Sequence, residues 1–266
     1  PSVQDPTNPK TIPASGKGKV EFRDVSFSYQ DSQEPVLSHI SFTAEPGQTT
    51  AIVGGTGSGK STLVNLIPRL YDVTAGTVSI DGVDIRDATQ ADVRSRIGYA
   101  AQKATLFSGT ITSNISYASE MTHSRIIEAA KVAQADEFIQ NLPDTYKEQV
   151  ARGGANLSGG QKQRISIARA IAKKPAVYLF DDSFSALDMK TDAALRKALA
   201  KETKEKTVII VAQQITSIIE ADQIIVLDDG RIVDRGTHQS LLSSSKVYRE
   251  IAESQLSAAE LQGSAS

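Results

Sequence analysis

The chain has 266 residues, is 39% hydrophobic, carries a formal net charge of -2 and contains no cysteine. That length suits one large α/β domain or two small ones, and the near-neutral charge gives no basis for a nucleic-acid surface. Disulfides and thiolate metal sites are excluded, no apolar run approaches the length of a membrane span, and no signal-peptide pattern is visible.

Residues 1–19 hold four of the nine prolines and no aromatic residue. This composition predicts an extended linker to something upstream, or a disordered end. The first residue is proline with no methionine before it, so we expect a fragment of a longer protein or a processed chain. Val20 to Tyr29 alternates aromatic and β-branched residues and predicts a strand; Ile40-Ser41-Phe42 predicts another, and Glu45-Pro46-Gly47-Gln48 a turn. Tyr29 closes its strand before a polar turn, where its ring either packs on the surface or stacks on a base.

Thr50-Ala51-Ile52-Val53 predicts a buried strand, and Leu63, Leu66, Ile67 and Leu70 fall at helical spacing. Between them stands Gly54-Gly55-Thr56-Gly57-Ser58-Gly59-Lys60-Ser61-Thr62, which fits G-x-x-x-x-G-K-[ST] in the strand–loop–helix context that a phosphate-binding loop requires. Glycines let backbone approach phosphate without Cβ clashes, and N–H groups at the helix start point at the anion. In such a loop Lys60 reaches the β- and γ-phosphates, and the Ser61 hydroxyl ligates Mg²⁺.

Thr77–Ile80, the Asp81-Gly82 turn and Val83 predict strand and turn. Ile97–Ala101 predicts a strand that delivers Gln102 at its carboxyl end, where open α/β sheets bind ligands, so Gln102 is placed to touch Mg²⁺, water or phosphate. Residues 111–150 read as an inserted helical lobe, with Ile126, Ala130 and Ala133 on one face and Leu142-Pro143-Asp144 as its stop. Leu157-Ser158-Gly159-Gly160-Gln161 opens a helix carrying Ile165, Ala168, Ile171 and Ala172. This second glycine-rich helix start either serves a nucleotide held by a neighbouring chain or is a plain cap built on Ser158. Val177–Phe180 followed by Asp181 and Asp182 predicts a central parallel strand that presents carboxylates at its end. The first suits Mg²⁺ and the second the place of a general base for water. Ser185–Asp188 reads as a loop, and Val208–Ala212 as a buried strand ending at Gln213-Gln214. Ile224–Leu227, Asp229-Gly230 and Arg231–Val233 predict a hairpin, 237–261 a helix and 257–266 a mobile tail.

Taken together, residues 20–245 resemble the nucleotide-binding domain of an ATP-binding-cassette exporter. The order of motifs carries the resemblance. Tyr29 resembles the adenine-stacking aromatic, 54–62 the Walker A loop, Gln102 the Q-loop glutamine, 157–161 an LSGGQ signature, 177–181 Walker B and 185–188 the D-loop. Leu106–Ile111 resembles the exporter form of the helical lobe. The resemblance implies an α/β fold: a P-loop NTPase (RecA-like) core with an antiparallel β subdomain and an inserted helical subdomain at about 103–162. Residues 1–19 would link to a transmembrane domain, and 246–266 would form a C-terminal helix and tail. It further implies ATP and Mg²⁺, the latter held by Ser61, Gln102 and Asp181. Two such domains would pair head to tail, so that Ser158, Gly159, Gly160 and Gln161 close a partner's site. The surroundings of Gln102 and the helical lobe would meet transmembrane domains, at the cytoplasmic face of a membrane.

Two positions depart from that family. Asp182 stands where the family has a catalytic glutamate, and Gln213 where it has a switch histidine; none of His39, His123 and His238 fits the switch position. Aspartate is shorter by one carbon–carbon bond, roughly 1.5 Å, and a misplacement of about 1 Å can cost on the order of 10²-fold in rate. Glutamine can donate a hydrogen bond to phosphate but cannot gain a proton. Residues 148–154 (Glu-Gln-Val-Ala-Arg-Gly-Gly) also depart from the usual segment before the signature, and Ala101 replaces a proline. The pattern resembles the degenerate subunit of a heterodimeric exporter. A non-hydrolysing, nucleotide-gated dimerisation module and the ATPase of a homodimeric exporter are the alternatives. The exporter-like 106–111 and the absence of coiled-coil heptads argue against a DNA-repair or chromosome-structuring ATPase.

Overall fold

The computed structural model describes residues 3–30, 32, 34–117 and 119–257. It contains two compact units, Pro1–Arg96 with Glu205–Ser266, and Ile97–Lys204. The outermost part of the expected C-terminal tail, 258–266, lies outside the described residues.

In the first unit, strands Leu37–Ala44, Val20–Phe27, Ala75–Ile80 and Val83–Asp84 form an antiparallel sheet in that order. Val20, Phe22, Val25 and Phe27 are all buried, although Phe22 and Val25 are out of phase for plain alternation. A register shift between them, at Asp24 with φ 48°, supplies the extra residue that restores the inward face. Phe22 stacks on its cross-strand partner Phe42 with ring centroids 4.7 Å apart.

The same unit holds strand Thr49–Gly54 between Thr207–Val211 and Gln223–Asp228, parallel to both, and Arg231–Gly236 closes the expected antiparallel hairpin. Ala51 and Ile52 are fully buried, as a strand covered on both faces demands. Helix Lys60–Leu66 leaves this strand through the glycine-rich loop and buries Leu63, Val64 and Leu66. It stops before Leu70, which is exposed, because Pro68 and left-handed Arg69 (φ 53°) follow its cap.

Among its described residues the amino-terminal segment has no helix or strand, but it is not a loose tether. Ile12 is fully buried, its N–H donates to Asp92 at 2.8 Å, and the N–H groups of Gly18 and Lys19 donate to Asp81. The buried Arg69 guanidinium donates to the carbonyls of Gln4 and Ala88 and to Asp72. The single helix expected over 237–261 is two, His238–Ser244 and Lys246–Glu253. Ser245, extended at φ -100° and ψ 116°, ends the first and caps the second through its side chain.

In the second unit, strands Ile97–Ala100 and Val177–Asp181 pair in parallel, and all five residues of the latter are buried. The helical stretch expected over 111–150 is broken into Ile111–Ser116, His123–Val132 and Asp136–Gln140. It ends in a short strand, Gln149–Val150, paired with Gly109–Thr110. Thr110 and Thr122 each cap a helix, so polar N-caps punctuate what the apolar spacing alone reads as one run. Helices Gly159–Ala172 and Met189–Glu202 complete the unit. The fold is α/β.

Candidate functional site

The glycine-rich loop is shaped by two different demands. A Cβ at Gly54 would lie 2.1 Å from the Leu227 carbonyl oxygen, so glycine here lets two parallel strands approach. A Cβ at Gly55 would meet nothing within 4 Å, and Gly57 has φ 82° with the same open space beside it. The loop thus turns an uncrowded backbone face outward, as an anion cradle requires. Ser58 is buried, and its carbonyl accepts from the Gly230 N–H at 3.1 Å, which ties the loop floor to the neighbouring hairpin. Lys60 folds back over the loop, its Nζ 2.8 and 2.7 Å from the carbonyls of Gly54 and Gly55. Ser61 is exposed beside it.

Tyr29 is brought to this loop directly. Its hydroxyl lies 3.0 Å from the Thr62 hydroxyl, and its ring meets Phe27 and Tyr71 edge-on at 4.9 and 5.3 Å. Tyr71 escaped the sequence reading because it belongs to no motif, although the Tyr-Asp pair just past the helix stop marks it as a loop aromatic. Gln213 lies in the same unit, exposed after strand Thr207–Val211.

The second unit gathers the carboxylates. Asp181 and Asp182 are both buried at the carboxyl end of Val177–Asp181. Asp182 is left-handed at φ 47°, a region that aspartate tolerates better than most residues. Its carboxylate accepts from Gln102 Nε2 at 3.2 Å and from the Ser185 hydroxyl at 3.3 Å. Ser183 donates to the Ala100 carbonyl at 2.6 Å and fixes the turn after the strand. Tyr99 donates to Asp181; burial and that carboxylate push its hydroxyl pKa well above the ordinary tyrosine value. Tyr99 carries no mark in the sequence, since a strand position gives no local sign of what lies beside it, whereas Ser185 opens the loop read as the D-loop.

Ser158 caps helix Gly159–Ala172 by a complete capping box. Its hydroxyl accepts from the Gln161 N–H at 3.2 Å, and the Gln161 side chain accepts from the Ser158 N–H at 2.9 Å. A Cβ at Gly159 would meet nothing within 4 Å, so the helix start presents an open face. Asp188, at the end of the following loop, caps Met189–Glu202; the Thr191 hydroxyl and N–H hold its carboxyl below the usual range.

Each unit by itself has fitting chemistry: in the first, an open glycine cradle with a lysine over it and an exposed hydroxyl at Ser61 suit a phosphate anion; in the second, the carboxylate oxygens of Asp181 are of the hard type that suits Mg²⁺. Among the described residues no helix is long and apolar enough to cross a membrane.

Comparison with known families matches residues 37–185 to the ABC transporter family. An uncharacterized ABC transporter ATP-binding protein of Mycobacterium tuberculosis is 48% identical over 267 residues, which cover 98% of this chain and 45% of that protein. ATP-binding cassette sub-family B member 6 of Homo sapiens is 43% identical over 255 residues, covering 94% of this chain and 30% of that protein. Among solved structures, a bacterial Atm1-family ABC exporter with ATP bound superposes with a TM-score of 0.92 at 36% identity, over 96% of this chain and 45% of that one. The chain therefore spans less than half the length of these relatives. It belongs to the ABC transporter family, with the fold of that family's nucleotide-binding domain.

Proposed function

We propose that this chain is the ATP-binding domain of an exporter at the cytoplasmic face of a membrane. It binds Mg–ATP, pairs head to tail with a second such domain in a different subunit, and hydrolyses the ATP on its own site slowly. The observation that supports this reading is, in the second unit, a short carboxylate, Asp182, already engaged by Gln102 and Ser185; the first unit keeps an open, lysine-covered phosphate cradle.

Backbone N–H groups of Gly55 to Ser61 would hold the phosphates, and Lys60 would exchange two loop carbonyls for phosphate oxygens. Tyr29 would stack on the base, its ring oriented by Phe27, Tyr71 and Thr62. By the family resemblance Ser61, Gln102 and Asp181 would be the donors for Mg²⁺, which when bound would neutralise phosphate charge. Asp182 would take the proton of the attacking water, but its carboxylate stands roughly 1.5 Å short of where glutamate would place it. Gln213 would donate to the γ-phosphate without carrying charge. Ser158, Gly159, Gly160 and Gln161 would close the partner's site, the Ser158 hydroxyl turning from its capping bond toward phosphate.

The test is ATP turnover of the unmodified chain against the Asp182→Glu/Gln213→His double variant. A positioned general base is worth about 10²–10⁴-fold, so the double variant is expected to gain at least about 10²-fold. Equal turnover in both, at a rate typical of competent relatives, overturns the slow-site reading. Equal absence of turnover with binding retained favours a nucleotide-gated dimerisation module.

A further inference from the structure

The segment that carries Gln213 is held by a residue from the far end of the chain. Gln255 follows helix Lys246–Glu253, and its side-chain amide makes two bonds to one stretch of backbone. Its Oε1 accepts from the Ile215 N–H at 2.8 Å, and its Nε2 donates to the Gln213 carbonyl at 2.8 Å. In an extended chain the carbonyl of one residue and the N–H two residues on share an edge, the edge that a neighbouring strand would pair with. Gln214 between them is extended at φ -103° and ψ 125°, so the glutamine amide takes the place of a missing strand. Both ends of the clamp are anchored: Ile215 is fully buried on one side, and Ala252 and Leu256 on the other.

We infer that Gln255 is a positioning residue for the switch position. It fixes the backbone of 213–215 and with it the direction in which the residue at 213 leaves the chain, while leaving that side chain outside the clamp. This rests on the proposed function in taking 213 as the switch position. It also makes the two C-terminal helices part of the site's scaffold.

The experiment places Gln255→Ala and Gln255→Glu in the 266-residue chain, in the unmodified background and with Asp182→Glu/Gln213→His. Amide hydrogen exchange at Ile215 is expected to speed up about 5–10-fold in Gln255→Ala, the loss of roughly one net hydrogen bond. Gln255→Glu, which keeps the acceptor and loses the donor, should fall between. In the active background kcat is expected to drop about 5–10-fold in Gln255→Ala, with KM and the melting temperature nearly unchanged. Unchanged Ile215 exchange overturns the inference, and so does faster exchange with unchanged kcat. A background variant that gains no turnover counts against the slow-site reading alone, because the exchange measurement still decides the clamp.

Discussion

Glycines of the phosphate loop look alike in the motif but do different physical work. Gly54 serves packing, since a methyl group there would overlap the Leu227 carbonyl; Gly55 borders open space. Gly54→Ala is therefore expected to destabilise the fold by about 1–3 kcal/mol, the usual cost of overpacking, measured as a lowered melting temperature. Gly55→Ala should leave the melting temperature unchanged and weaken Mg–ATP at least about tenfold, about 1.4 kcal/mol, because the added methyl occupies the space of the phosphate. Equal melting temperatures for the two variants would contradict this division. The motif was legible without the structure because it is local: strand, loop and helix follow one another within twenty residues. Tyr71, Tyr99 and Gln255 were not legible, because each acts on a residue to which no pattern joins it; Gln255 lies 40 residues from Ile215 in sequence.

At the scale of elements, strands were read more faithfully than helices. A buried parallel strand such as Val177–Asp181 is a continuous apolar run, whereas the 111–150 and 237–261 stretches carry helical spacing across breaks set by single hydroxyl caps. The C-terminal helix pair is joined by a buried contact. His238 is 2% exposed, its Nδ1 lies 2.7 Å from the Tyr248 hydroxyl, and its Nε2 has no partner among the described residues. Burial lowers the His238 pKa from 6.5. The folded state therefore binds its proton less readily than the unfolded one, and stability falls as pH drops below about 6.5 until the folded group also titrates. Hydrogen exchange over 238–253 should accelerate between neutral pH and pH 5, beyond the intrinsic pH effect. His238→Gln should remove that dependence; a variant with the same acid sensitivity would place its origin elsewhere. The amino-terminal segment teaches a related lesson. Its proline content announces absence of regular structure, but its attachment through Ile12, Asp81 and Arg69 depends on partners 63 to 80 residues away and has no local signature.

For the whole molecule, the family follows from the order of motifs, and the departures at Asp182 and Gln213 define what is distinctive. The grip on triphosphate and the activation of water are built from different residues, so one can remain complete while the other is weakened. On the proposed reading, such a chain would offer its open signature helix start to a neighbour's site and would hold its own nucleotide for long periods. The most direct measurement is calorimetric titration of Mg–ATP into the unmodified chain, with released phosphate followed in the same sample. Saturable binding with phosphate release far slower than in the Asp182→Glu/Gln213→His variant is the expected result. No detectable heat of binding from a correctly folded chain, or release as fast as in that variant, would contradict it.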